Sequence, residues 1–218
     1  PQGVPVSWKG HHYGRDGESL GALNINEIER IRDQDRLTDW SAAVIPNATI
    51  VDLSEEAIKE ARIQYLEKNQ KQADQIKQWD DITFLNKAKI TIRGQITRTT
   101  ILLLGKQESE HLINPAVAKI SWILRDRDGI EKDYEHFSSP FLLNVQEVYK
   151  KIRNIKYRYI VDSSLFPEET DTYHPFIIRE ALNNCIAHQD YTIGGKINVV
   201  EREDSLLTFV NSGDFIPQ

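Results

Sequence analysis

The chain has 218 residues, of which 39% are hydrophobic and 28% charged, with a formal net charge of −6. That balance excludes an intrinsically disordered tail and a globally basic nucleic-acid coat, so any surface for a polyanion must be local. One cysteine excludes an internal disulfide framework, and no apolar run reaches membrane-spanning length, which points to a cytoplasmic protein without a membrane partner.

Residues 4–20 read as short strands about a turn, Val4–Trp8 and then Tyr13–Gly17. Asn26 is a candidate N-cap, with Glu27 and Glu29 in the first turn of a helix to about Arg36. Ser54-Glu55-Glu56-Ala57 opens a helix to about Gln70, with Ala57, Ile58, Ala61 and Tyr65 on one face. Residues 69–78 are polar and read as a connector or helix end. Two helices follow: one capped by Asp80 or Asp81 and carrying Phe84, Leu85 and Ala88, the other over 97–104 with Gly105 as its stop and Gly94 breaking the two apart. Lys119–Arg125 and Ile130–Phe137 alternate as strands about Arg127-Asp128-Gly129. Pro140 opens a helix through Ile152, and Lys156–Val161 alternates as a strand. The acidic segment 162–175 reads as a loop into a helix over about 175–189. Lys196–Glu201 and Leu206–Asn211, joined by Arg202–Ser205, predict a closing hairpin. Helices interleaved with hairpins predict an α+β fold.

The helix at 175–189 carries the chemistry. Glu180, Asn184 and His188 stand at four-residue steps and so share one face, while Ile177, Ala181, Leu182, Cys185 and Ile186 give an apolar side to bury. A carboxylate, a carboxamide oxygen and an imidazole in a row suit a nucleotide-phosphate site, because Mg²⁺ is a hard ion that takes one or two protein oxygens and fills its shell with phosphate oxygens and water. By its local context, a histidine bonded to nearby backbone is an alternative for His188, and a buried, inert thiol is the reading for Cys185.

Glu180-x-x-x-Asn184 resembles the N-box of the GHKL ATPases, the superfamily that includes gyrase and the histidine kinases. With Ala187-His188-Gln189-Asp190-Tyr191, Lys196–Glu201 and Leu206–Pro217, it is similar to the divergent ATPase-like C-terminal region of bacterial proteins described as RecG-like or as transcriptional regulators. In that family an AlbA-type (Schlafen-like) DNA-binding domain comes first. The segments Trp8–Ser19 and Asn26–Ile31 resemble its tail. The resemblance implies four segments: 1–38, the end of the AlbA-type domain; 39–79, a helical linker; 80–106, a helix-turn-helix-like segment; and 107–218, an incomplete GHKL-like α/β sandwich.

The same resemblance implies roles. Glu180 acts on water as the catalytic group, Asn184 holds Mg²⁺, and His188, Asn211 and Gly213 join Asn184 around ATP. Where GHKL proteins carry Asp-x-Gly-x-Gly, this chain reads Asn211-Ser212-Gly213-Asp214, an amide in place of the adenine-reading carboxylate and one glycine fewer, which implies a degenerate site with at most weak ATPase activity. The implied function is a DNA-binding transcriptional regulator with an ATP- and Mg²⁺-binding module. Alternatives are an interaction or dimerisation module with a vestigial site, which would make the chain a homo-oligomer, and an ATP-dependent, helicase-related DNA-processing enzyme. No Gly-x-x-x-x-Gly-Lys-Ser/Thr occurs, which disfavours a P-loop motor.

Two runs are basic without an acid. Residues 86–106 hold Lys87, Lys89, Arg93, Arg98 and Lys106, a candidate DNA contact on a helix-turn-helix frame. Residues 149–160 hold Lys150, Lys151, Arg153, Lys156 and Arg158 interleaved with Tyr157 and Tyr159, a candidate platform for single strands. Lys9, His11, His12 and Arg15 make a third, weaker cluster. The chain has no methionine. It therefore reads as a fragment, or as a sequence from which modified methionines are missing, in which case some spacings slip by one.

Overall fold

Helices and strands alternate along the computed structural model as the sequence patterns predict, giving a mixed α+β fold. It describes residues 6–16, 19–25, 27–28, 39–154, 156–160, 166–204 and 206–213. The chain divides into two units, Pro1–Ala43 and Val44–Gln218.

In the first unit β1 (Ser7–Trp8), β2 (His11–Asp16) and β3 (Ser19–Ala22) form an antiparallel sheet in that order. The helix expected after Asn26 is capped earlier. Asn24 and Glu27 exchange backbone-to-side-chain bonds of 2.7 and 3.0 Å, a capping box in which Asn24, not Asn26, is the N-cap residue. Asn26 itself and 29–38, where most of that helix was expected, lie outside the described residues, as do the side chain of Arg15 and residue Asp214.

The second unit opens with α1 (Glu55–Lys68), capped by Ser54, whose hydroxyl accepts from the Ala57 N–H at 3.3 Å. It buries Ala57, Ile58 and Ala61. The stretch read as a connector contains α2 (Ala73–Gln78), held by the fully buried Ile76. A single apolar anchor gives no periodicity to read. α3 (Asp81–Lys87) starts at Asp80, which accepts from the Thr83 N–H at 2.7 Å, and buries Phe84 and Leu85. α4 (Arg98–Leu104) starts at a Thr97–Thr100 capping box and buries Ile101, Leu102 and Leu104. Arg62 ties this layer together, donating to the Ile76 and Trp79 carbonyls at 3.0 and 3.1 Å and pairing with Asp81 at 2.6 Å.

The expected helix pair is therefore present, but residues 88–97 join α3 to α4, where a helix-turn-helix uses a turn of about three or four residues. Over 80–106 the chain forms two short helices with a structured connector.

The sheet of this unit runs β5 (Glu131–Phe137), β4 (Ile120–Arg125), β8 (Ile197–Arg202), β9 (Leu206–Val210). β4 and β8 pair in parallel and the outer pairs are antiparallel. Ile120, Trp122, Ile197 and Val199 are buried, the inward set of an alternating pattern. α5 (Phe141–Lys151) touches α1, α4, α6 (Pro175–His188) and β5, and α6 also touches β9. Side chains as buried as Phe84 and Phe141 contribute about 1.5–3 kcal/mol each relative to exposure.

The segment 162–175, expected as a loop, contains β7 (Pro167–Asp171), antiparallel to β6 (Lys156–Ile160). Its composition is poor for a strand. Lys156 stands opposite Asp171 and Arg158 opposite Glu169, and such cross-strand charge pairs favour the pairing. Residues 162–165 of that segment lie outside the described residues.

Candidate functional site

Local sequence sets α6. His174 caps it, its Nδ1 accepting from the Phe176 N–H at 3.3 Å, and Pro175 occupies the first turn, where its missing N–H costs nothing. Ile178, Leu182 and Cys185 are buried, and burial pushes the Cys185 thiol up, which keeps it protonated and unreactive. Glu180, Asn184 and His188 are exposed, and the four-residue spacing puts them on one face. The side chains of Glu180 and Asn184 make no hydrogen bond or ion pair with any described residue.

The chain returns from β9 onto the C-terminal end of α6. Asn211 Nδ2 donates to the His188 carbonyl at 3.0 Å, satisfying one of the orphan acceptors of a helix end. The Ser212 N–H donates to Gln189 Oε1 at 2.8 Å, and the Asp190 N–H donates to the Ser212 carbonyl at 2.6 Å. Gln189, only 7% exposed, also donates to the Gly195 carbonyl at 3.0 Å. At Gly213 a Cβ would fall 2.1 Å from the His188 carbonyl oxygen, so only glycine lets the backbone approach this closely. Tyr191 donates to the Ile186 carbonyl at 2.9 Å, and burial raises the phenol well above its ordinary value.

This latch brings Asn211 and Gly213 to His188, one turn from Asn184 and two from Glu180. It also gives a local reason for the amide at 211. A carboxylate there could not donate to the His188 carbonyl and would be repelled by it. Asn211 Oδ1 makes no hydrogen bond with a described residue and remains an acceptor. Among the described residues no group of three or more His, Cys, Asp or Glu could hold a metal ion. The oxygens in hand are those of Asn184 and Glu180.

The basic residues separate into two groups. The side chains of Lys87, Lys89 and Arg93 are exposed and without a hydrogen-bond or ion-pair partner among the described residues, while Arg98, at the first position of α4, is half-buried and engaged. The Lys89 N–H donates to the Asn86 carbonyl at 3.2 Å and the Gly94 N–H to Asn86 Oδ1 at 3.2 Å, which folds the connector back onto the end of α3. Four of the five cations of the second run are ion-paired. Lys150 pairs with Glu147, Lys151 with Glu135, Arg153 with Glu201 and Arg158 with Glu169.

Sequence reasoning missed Glu201. It occupies an inward position of β8, 3% exposed, and accepts from Trp122 Nε1 at 3.2 Å, the Arg153 N–H at 3.2 Å and Arg153 Nε at 2.8 Å. An acid in the inward register of Ile197 and Val199 was the available signal. Gln189 was missed as well, and nothing in its neighbourhood announces a buried amide. Among the described residues no helix is long and apolar enough to cross a membrane.

The family described as Domain of unknown function (DUF8451) matches residues 28–120, the span that holds α1 to α4. No curated protein matches the chain. Among solved structures it is similar to the DIP2311 protein from Corynebacterium diphtheriae, with a TM-score of 0.61 and 18% identity over 95% of this chain. The chain spans 40% of the length of that protein, and the likeness shows a shared fold alone.

Proposed function

We propose that the chain is a DNA-binding transcriptional regulator whose C-terminal part is a degenerate GHKL-type module for Mg-nucleotide. The observation that carries this reading is the unengaged pair Glu180 and Asn184 on the solvent side of α6, beside a loop whose Asn211 and Gly213 are fixed to the end of the same helix. Asn184 offers the hard oxygen that Mg²⁺ prefers, with phosphate oxygens completing the shell. Bound Mg²⁺ would supply neutralisation of phosphate charge. Asn211 Oδ1 would accept from an adenine amino group, as a neutral and therefore weaker partner than a carboxylate. Glu180 would orient water. With so few preorganised donors the reading is of a nucleotide sensor with at most weak hydrolysis.

Calorimetric titration of Mg-ATP into the protein and two variants tests this. Asn184→Ala weakens Mg-dependent binding, whereas Glu180→Gln spares binding and abolishes any hydrolysis. Both side chains are exposed and unpaired, so neither change shifts stability by more than about 0.5 kcal/mol. Absence of Mg-ATP binding by the unmodified chain rejects the sensor.

A second reading, an interaction or dimerisation module, is favoured by Phe176 and Ile177, 63% and 64% exposed on the same helix. Sedimentation across a concentration series separates the two. Self-association abolished by Phe176→Ser, without nucleotide binding, supports the module.

A further inference from the structure

Resting on the DNA-binding reading above, we propose that the short hairpin at residues 89–95, together with Lys87, is where this chain grips the phosphate backbone of duplex DNA. Ile92 and Gln95 exchange backbone hydrogen bonds of 3.0 and 2.9 Å across a turn made of Arg93 and Gly94. Both central residues have positive φ, 52° and 77°, the signature of a type I′ hairpin. Arg93 is thereby fixed at the tip. The hairpin is anchored at its base, where Thr100 Oγ1 donates to the Ile90 carbonyl at 2.6 Å, and at its tip by the Asn86 side chain. Lys87, Lys89 and Arg93 gather around one end of α3 on a backbone with fixed ends.

Two features separate this corner from ordinary surface charge. The three cations have no partner among the described residues, whereas four of the five in 150–158 are ion-paired. Moreover Lys89, at φ 60°, and Arg93 occupy the left-handed region, where asparagine or glycine is the easier choice. Backbone strain combined with unneutralised charge, twice within five positions, gives nothing to folding and something to an anionic partner. Ile82 lies against Gly94 at the tip, and it and Ile92 are 56% and 44% exposed. Neither can stack on a base, which argues for the backbone of a duplex over unpaired bases. Lysine and arginine on phosphate position the protein without reading sequence.

The test is fluorescence anisotropy of a labelled mixed-sequence DNA duplex with the 218-residue chain, across a salt series, with melting temperature measured on each variant. Lys89→Asn with Arg93→Asn removes both charges and suits the left-handed backbone. It is expected to melt no lower than the parent, while affinity at about 0.1 M salt falls ~60-fold and the slope of log K against log salt falls by about 1.8, at 0.9 per phosphate. Lys89→Arg with Arg93→Lys keeps charge and retains affinity. Lys150→Gln with Lys151→Gln removes the same charge from the paired run and leaves affinity unchanged. Unaltered DNA binding in the Asn pair overturns the hairpin but leaves the DNA reading standing. No duplex binding by the parent chain overturns both. Equal losses in the Asn pair and the Gln pair reduce the effect to net charge, and a fall in melting temperature matching the loss of binding makes the residues structural; either outcome overturns the proposal. Tighter binding to an RNA duplex or to single strands overturns the choice of partner.

Discussion

Residues 87–93 carry three cations and residues 150–158 carry five, neither with an acid, yet the fold treats them in opposite ways. The later run is answered from several directions: by Glu147 on its own helix, by Glu135 on β5, by the buried Glu201 on β8 and by Glu169 across the β6–β7 hairpin. The earlier run is answered by nothing among the described residues, and two of its cations sit on strained backbone. Both runs lack acids in sequence, so composition ranks them alike. Only tertiary pairing tells them apart: four of the five cations in 150–158 have an acid beside them, and the three in 87–93 have none among the described residues.

The sharpest way to break the contrast is at its most buried member. Arg153→Ala leaves the Glu201 carboxylate inside the sheet layer with only Trp122 Nε1 and one backbone N–H. Removing one partner of a fully buried pair costs about 3–5 kcal/mol, and because Arg153 is itself 41% exposed the expected loss is about 2–4 kcal/mol. Denaturant unfolding measures it, and DNA affinity should not change. A loss below about 1 kcal/mol would mean that the paired run is ordinary surface charge. Next comes the anchor of the free run. Thr100→Val removes a buried donor from the Ile90 carbonyl and one half of the α4 capping box, costing about 1–3 kcal/mol. It also loosens the base of the hairpin, so here stability and DNA affinity fall together. Smaller again is Arg93→Asn, which relieves a left-handed arginine and raises stability by up to about 1 kcal/mol. A destabilised Arg93→Asn variant would show that the side chain packs rather than waits.

These contrasts also mark what the sequence could disclose. α1, α3, α4 and α6 were legible because their signals are local: Ser54 and Asp80 or Asp81 as candidate caps, Gly105 as a stop, and apolar residues at helical spacing. The Glu180–Asn184 pair was legible for the same reason, since one helical period fixes it. The hairpin of β8 and β9 followed from alternation. What remained hidden depends on distant partners. β7 is a strand because basic residues lie opposite its acids, β4 meets β8 in parallel although the two are far apart in sequence, and Gln189 is buried because Ser212 and Gly195 converge on it. The Asn24 cap was missed by two positions because asparagines at 24 and 26 have equal local merit, and the reciprocal bond with Glu27 decides between them. In sequence, the connector at 88–97 shows only Gly94 as a break. An Arg-Gly pair is a weaker type I′ signal than Asn-Gly, and that substitution of a cation for the easier residue is what makes the connector informative.

The smallest expected effect lies at the other end of the helix that carries Lys87. Asp80 caps α3, and the Thr83 side-chain hydroxyl, followed by the Thr83 backbone N–H, holds its carboxyl below the ordinary aspartate value, with Arg62 a lesser contributor. A carboxyl with a lowered folded pKa binds its proton more weakly in the folded chain than in the unfolded one. Its contribution is therefore complete above the ordinary value, near about 3.9, and is lost as pH falls through the lower folded value. An asparagine in its place would cap nearly as well without titrating. Asp80→Asn should thus lower the melting temperature slightly near neutrality, by about a degree or two, and the difference should close on acidification below about pH 4. The charge layout of α3 gives this small effect its use in the comparison. Acids at Asp80 and Asp81 begin the helix and Lys87 ends it, the arrangement that the helix dipole favours. If the dipole were the whole reason for Lys87, then Lys87→Gln would cost as much stability as Asp80→Asn and leave DNA binding intact. If Lys87 belongs with Lys89 and Arg93, the stability cost is again a degree or two, but the salt slope for DNA falls by about 0.9. Melting curves and a salt series on those two single variants therefore decide whether the third cation of the corner is part of the grip or only the end of a helix.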